Sequence, residues 1–526
     1  MTALACKRDP RNILGIPELF AMVAKFCDKS DLARLSSVCR ATFYEATPLV
    51  WKRVEGIHNL LGLLPGIRVI KQRREHPVTL MVSSRVVRAS ELARLHLYLA
   101  SIRDIKIYNT VVRHYDVTDW QILVGGLESQ ALPPNLQSLD FTSTCVDCAQ
   151  YQPLWVQVFA CNSLTAVFSI LLSIGTNPEI PTLSLNGSMD LLSRRSPGIE
   201  RLSLFPGFGS FCGQGSARKA LVSLARTEPH FQSSLTTLSK LRDLDCSSSA
   251  LYRLLPSIGS LLRLRSLTVW PDRSGFLSYK QDGLSSTSFP MLAQLTLHST
   301  VRSEIESLLK MTLALRQVIA LRISMDSRIW IPEDSWEANN VFPQLRNAPL
   351  LQELYIRFRL DSETVCRLCT VGYRILMDAT QVLPLRTIAL NCIHFQNTVS
   401  DDSPFRGIGA IWSQVTYLSM PEQRVYNEDL VHISTLSNLQ YLLLNVLFSN
   451  DFPAENSLAT SGGMMLHTLN GSPDSRIRNR ELGQLARFLL RLWPNLLGVT
   501  WSVADDDMKD GLEKLNQEIR KFTLSL

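Results

Sequence analysis

The residues in this sequence that could do chemistry are few, and each cluster fails on spacing. Gly207-x-Gly209-x-x-x-Gly213-x-Gly215 follows an apolar run at residues 202–205 and precedes a helix-like run at 217–226. A glycine-rich turn between a strand and a helix can cradle phosphate on its backbone N–H groups. Here Cys212 stands where the third glycine of G-x-G-x-x-G belongs, and no G-K-[ST] follows. The segment reads as a loop between repeats. Cys145-x-x-Cys148 and Cys366-x-x-Cys369 could share a zinc ion. No histidine at finger-like spacing accompanies either pair, and the second pair fits one face of a helix, so both read as structural thiols. The 9 histidines form no HExxH pattern, and no G-x-S-x-G elbow occurs. No catalytic residue, metal site or cofactor is expected, and the chain is not read as an enzyme.

What remains is a scaffold, so the question becomes which surfaces it builds. The chain has 526 residues, 45% hydrophobic and 19% charged. That supports a large folded core rather than a disordered chain. No apolar run approaches the length of a membrane span. Residues 1–12 carry Lys7, Arg8, Asp9 and Arg11 and lack the apolar stretch of a secretory signal. The 11 cysteines are scattered, as reduced thiols of the cytosol or nucleus would be. A net charge of +7 is small for this length and does not argue for nucleic acid. Basic runs such as Lys71-Gln72-Arg73-Arg74 read as solvated surface. Neither a membrane nor nucleic acid is expected as a partner.

Residues 13–54 form a unit by pattern, after a flexible stretch at 1–12. Pro17 and Glu18 suit the first turn of a helix. Leu19, Val23 and Phe26 share one face, widened by Phe20 and Cys27. Residues 28–31 read as a break and an N-cap region. Leu32, Leu35 and Val38 make a second amphipathic stripe. Cys39, Phe43 and Ala46 continue into a third short helix, and Trp51 anchors its end. So short a unit buries too little apolar surface to be comfortable alone.

The run Ile16-Pro17-Glu18-Leu19-Phe20-x-x-Val23-x-x-Phe26 resembles the opening of an F-box. Asp31-Leu32-x-x-Leu35-x-x-Val38-Cys39-Arg40-Ala41 is similar to its centre, and Pro48-Leu49-Val50-Trp51-Lys52-Arg53-Val54 to its end. Ile16 stands for the usual Leu, Cys27 occupies a common Leu position, and Thr42-Phe43 replace a frequent Trp. The style is that of large fungal F-box families. The resemblance implies a three-helix module that docks the Skp adaptor of an SCF-type cullin–RING ubiquitin ligase. It implies that Ile16, Pro17, Leu19, Phe20, Val23, Leu32, Leu35, Val38, Cys39 and Trp51 form the docking unit, some facing the adaptor and others the module's own core.

After a transition at 55–75, an L-x-x-L-x-L pattern recurs across residues 76–503. Its central positions include 139, 202, 244, 267, 295, 321, 354, 388, 418, 442 and 499. The irregular spacing overlaps the leucine-rich-repeat period. Helix-like stretches such as 303–316 and 362–378 lie between copies, whereas 271–290, 401–407 and 453–480 read as loops. The pattern predicts an α/β fold: an irregular leucine-rich-repeat-like solenoid with a parallel sheet and outer helices, closed by a helix within 504–526. One repeat cannot bury its own apolar face, so neighbours must stack.

The alternate strand positions should face away from the core. Asp245, Thr268, Trp270, Arg322, Tyr355, Arg357, Ser419, Leu443 and Asn445 are the expected partner contacts. Taken with the F-box resemblance, the chain reads as the substrate-recognition subunit of an SCF-type ligase, holding an unidentified target protein. Bond chemistry would then belong to the conjugating enzyme recruited by the RING subunit. The alternative is a non-catalytic repeat scaffold that directs no ubiquitination.

Overall fold

Each L-x-x-L-x-L segment alternates apolar and polar side chains with the period of a strand, and each is preceded by a tight turn. In the computed structural model these segments are short parallel strands, stacked one per repeat. The structure describes residues 16–64, 66–70, 78–82, 96–109, 115–128, 133–142, 151–168, 180–204, 206–207, 229–271, 284–299, 302–326, 341–359, 369–396, 403–449, 452–453, 465–471, 476–477, 481–501 and 506–524. The chain divides into two units, residues 1–263 with 272–274, and residues 264–271 with 275–526.

The first unit opens with helices α1 (Pro17–Ala24), α2 (Lys29–Ser36) and α3 (Arg40–Trp51). Pro17 begins α1, where its missing N–H costs nothing. Asp28 caps α2, its Oδ1 accepting from Asp31 N at 2.8 Å. Cys39 caps α3, its sulfur accepting from Thr42 N at 3.5 Å. The module's core is small: Phe20, Ala24, Leu32 and Ala46, flanked by Cys27, Leu35 and Val50.

A parallel sheet follows, with Arg53–Glu55, Asp104–Lys106, Ser138–Asp140, Ala166–Phe168, Arg201–Leu204 and Asp243–Ser247 in sequence order. Their central residues Val54, Ile105, Leu139, Val167, Leu202 and Leu244 are in register and buried. Each such apolar side chain contributes about 1.5–3 kcal/mol when fully buried. A separate sheet joins Ile67–Ile70, Val78–Val82 and Tyr115–Val117. From its third strand Tyr115 contacts Tyr108 and Trp155, and its hydroxyl lies 2.8 Å from His58 Nδ1.

In the second unit the parallel order is Ser266–Trp270, Gln294–Ser299, Ala320–Asp326, Glu353–Arg359, Thr387–Asn391, Tyr417–Val425, Tyr441–Phe448, Thr468–Gly471 and Gly498–Trp501. Leu267, Leu295, Leu321, Leu354, Ile388, Leu418, Leu442, Leu469 and Val499 form one buried row. Helices Arg302–Leu309, Tyr373–Thr380, Asn427–Ile433 and Leu482–Leu492 supply the other wall of the core. The last helix, Asp506–Thr523, lies against the final strand.

Several expectations need correction. The parallel sheet starts at Arg53, not after residue 75: Arg53–Glu55 pairs with Asp104–Lys106, and Val54 is buried beside Ile105. The stretch 453–480, read as a loop, contains the strand Thr468–Gly471, and Arg476–Ile477 pairs with Leu447 and Phe448. Its motif is Leu466-x-x-Leu469-x-Gly471, and the glycine in the third apolar place hid it. Cys369 is not on a helix. It begins the strand Cys369–Gly372, paired with Ile393–Gln396, and the helix starts only at Tyr373. Cys145, Cys148, Cys366, Gly209, Gly213 and Gly215 lie outside the described residues.

Candidate partner-binding surfaces

The N-terminal module sorts the ten residues named from its motif. Phe20 and Leu32 are buried in its core, and Leu35 packs partly against it. Ile16, Leu19 and Val23 face outward from α1, and Val38 and Cys39 are exposed at the start of α3. Pro17 opens α1, but its side chain lies outside the described residues. Trp51 is partly buried. Its ring packs on Tyr98 of the following repeat at 4.8 Å between centroids. Lys29 makes a second tie, donating to the Arg53 carbonyl at 2.7 Å, and partial burial holds its ammonium below its ordinary pKa.

Sequence reading left Met22, Tyr44, Leu49 and Phe26 out of the docking set, yet all are exposed; Phe26 is 91% exposed. Ile16, Leu19, Val23 and Phe26 recur every three to four residues, the spacing of one helix face. That face has no covering element among the described residues. The Thr42 hydroxyl, and then its backbone N–H, hold the Cys39 thiol below its ordinary pKa.

The solvent face of the sheet is built from alternate strand positions, which the register places in rows. In the first unit those rows are charge-compensated. Glu55 sits beside Lys106, and Lys106 beside Asp140. Arg53 lies beside Asp104 and pairs with Glu55 at 3.3 Å. Asp245 accepts from Ser203 Oγ at 2.9 Å, and Arg201 lies over the Phe168 ring.

The second unit differs. One row runs Thr268, Thr296, Arg322, Tyr355, Ala389, Ser419, Leu443. The Arg322 guanidinium lies over the Tyr355 ring, 4.9 Å from its centroid. Burial, and then Glu353, raise the Tyr355 phenol, while Arg322 opposes them. Beside this row Tyr417 and Tyr441 stack at 4.3 Å, nearly parallel at 3°. On the other side Trp270 stacks on His298 at 3.8 Å. His298 Nδ1 is buried with no hydrogen-bond partner, and burial lowers its pKa to about 4. Arg357 is exposed, next to Ser324 in register.

Of the expected contacts, Asp245, Thr268, Trp270, Arg322, Tyr355, Arg357 and Leu443 are at least partly accessible. Ser419 and Asn445 are not, at 4% and 5% exposure. Ser419 lies between Ala389 and Leu443 in the row. Asn445 is flanked by a bulge, because the register slips from Met420–Leu444 to Arg424–Asn445 and inserts Pro421, Glu422 and Gln423 beside it. Tyr417, Tyr441 and His298 were not named, although each lies two residues from a central outward position, Ser419, Leu443 and Thr296 respectively. The same alternation, extended by two residues, names all three.

Among the described residues no group of three or more His, Cys, Asp or Glu could hold a metal ion, and no helix is long and apolar enough to cross a membrane. No protein-family model and no curated protein sequence matches the chain. Two solved structures are similar in part. An internalin, InlF, from Listeria monocytogenes shares 13% identity, covering 81% of this chain and 94% of its own, at a TM-score of 0.30. The leucine-rich-repeat-containing protein LegL7 from Legionella pneumophila shares 12%, covering 76% and 94%, at 0.29. By its own strand order and register, this chain is an α/β protein of leucine-rich-repeat architecture, with a module of three helices before the repeats.

Proposed function

We propose that this protein is the substrate-recognition subunit of an SCF-type cullin–RING ubiquitin ligase. The helical module would dock the Skp adaptor, and the sheet face of the repeats would hold a target protein. The carrying observation is the outward apolar surface at the start of the module, with Leu19 and Val23 exposed on α1 and Ile16 and Phe26 exposed just before and after it, while the module's own core is already filled by Phe20, Leu32 and Ala46. An amphipathic helix that leaves such a face open suits burial in a partner's groove. The F-box-like order of motifs names the partner. The chain's contribution is then proximity: it holds a target near activated ubiquitin, raising the effective concentration of the reacting lysine.

The test is co-purification of the full chain with the Skp adaptor, comparing wild type with Val23→Asp/Phe26→Asp. Leu35 is unsuitable for a charge substitution because it packs on the module's core. The expected result is capture by wild type and loss in the variant, with an unchanged melting temperature. Absence of capture by the folded wild type would sink this reading and leave a repeat scaffold.

A further inference from the structure

The sheet face of the second unit changes character along its length. From the strand Thr387–Asn391 to the strand Gly498–Trp501, the two outward rows that begin at Thr387 and Ala389 carry no charge. The first contains Tyr417 and Tyr441; the second contains Ser419, Leu443, Asn470 and Thr500. Around this block the charges are mostly neighbours of opposite sign. Glu353 is diagonal to Arg322, Asp326 is diagonal to Arg357, and Glu422 lies two residues from Arg424. Arg386 and His467 stand outside the rows, one residue before Thr387 and Thr468. The sheet of the first unit, by contrast, sets Glu55, Lys106 and Asp140 side by side in one row. The core of a protein–protein interface is marked by depletion of charge and enrichment in tyrosine, inside a polar rim.

Within the block, Ala389 and Ser419 are neighbours on adjacent strands, 7% and 4% exposed. Tyr355 precedes them in the row and Leu443 follows. Two short side chains between two long ones leave a recess in the sheet face. Tyr355 and Leu443 stand three strand spacings apart, about 14 Å, which leaves room for one large side chain between them. Tyr417, two residues before Ser419 on the same strand, closes a third side. The walls are held in place. The Arg322 guanidinium packs over the Tyr355 ring, 4.9 Å from its centroid, and Tyr417 stacks on Tyr441 at 4.3 Å. Rings already ordered lose little freedom when a partner binds.

We propose that this recess receives a leucine or phenylalanine side chain from an uncharged segment of a partner protein. An apolar side chain is buried there against alanine, leucine and tyrosine carbon. A charged side chain in the same place would lose its hydration and meet no counter-charge on the floor. Glu353, the charge nearest the floor, has Arg322 as its own diagonal neighbour. The inference rests on the ligase reading in calling the partner a target; the chemistry of the recess does not depend on it.

The experiment is selection of short random peptides, displayed on phage, against the full-length protein. The pool is first depleted on the Leu443→Lys variant, which removes peptides held by the exposed apolar surface of the helical module. The expected survivors carry Leu or Phe and few Asp, Glu, Lys or Arg. Synthetic copies should bind wild type at least about tenfold more tightly than Leu443→Lys or Ala389→Phe, as for loss of a central contact. Ala389→Phe fills the recess without adding charge. Thr268→Lys, on the same face but outside the block, should bind as wild type does. Leu443 is only partly buried and Ala389 lies in the outward row, so both variants should fold. Melting temperatures check this, and if one variant fails to fold the other decides. No survivors, survivors dominated by acidic or basic residues, or equal binding by wild type and the folded variants would each overturn the inference. Adaptor capture is read on the same proteins. If it holds while no such peptides are found, the recess inference falls alone. If it fails while the peptides bind, the ligase reading falls and the chemistry of the recess stands.

Discussion

Asn516 closes the open edge of the sheet at Val499. Its Oδ1 accepts from the Val499 N–H at 2.7 Å, and its Nδ2 donates to the Val499 carbonyl at 2.8 Å. One side-chain amide thus imitates the missing next strand. Gly498 helps, because a Cβ there would sit 3.1 Å from Asn516 Oδ1. An exposed strand edge is a template for pairing with another chain.

Asn516→Ala should cost about 1–3 kcal/mol, as two backbone groups lose their partners. It should also raise concentration-dependent association relative to wild type. Urea unfolding and sedimentation velocity check both effects. A variant with wild-type stability and sedimentation would show that the amide does not guard the edge.

Trp51 holds the helical module to the repeats through Tyr98, which Phe43 also contacts edge-on. Trp51→Ala should destabilise the module by about 2 kcal/mol, less than a fully buried tryptophan costs. Hydrogen exchange over residues 40–51 should accelerate while the repeats of the second unit stay protected. Unchanged exchange in α3 would contradict this.

His298 predicts a pH dependence. Its folded pKa is lowered to about 4 by burial, below the ordinary 6.5, so the unfolded chain takes up the proton first. Its contribution is fully present above pH 6.5 and is lost as the pH falls from there to about 4, by up to roughly 3 kcal/mol. His298→Gln should flatten the fall of the urea midpoint across that window. Equal slopes in variant and wild type would refute the assignment.

Thr380 and Trp412 are buried together, and the Trp412 indole N–H donates to Thr380 Oγ1 at 2.9 Å. The Thr380 hydroxyl in turn donates to the Leu376 carbonyl at 2.8 Å. Thr380→Val keeps the volume and orphans the indole N–H, so it should cost about 1–3 kcal/mol. Thr380→Ser should retain most of the stability. Chemical denaturation of the pair decides, and equal losses in both variants would point to packing instead.

The repeat strands were legible because a buried strand in a parallel stack must place apolar residues at fixed steps. Leu267, Leu295, Leu321, Leu354, Ile388, Leu418 and Leu442 therefore mark one row in the sequence itself. Leu469 did not, since Gly471 breaks its motif. The outward face was legible only in part. Arg322, Tyr355 and Leu443 follow from alternation, but burial of Asn445 depends on the bulge at 421–423, which no local pattern signals.

By itself, the amino-acid sequence determined the repeat period, the strand core and the helical module, because these depend on local alternation and helix spacing. Tertiary structure alone decided what each polar position does. Trp51 packs on Tyr98, and Asn516 guards the edge of a strand 17 residues before it. Arg322 comes to lie over Tyr355 only when their strands align. Such contacts form between segments whose separation varies from repeat to repeat, so their partners are set by register and packing across strands, which a linear pattern does not encode.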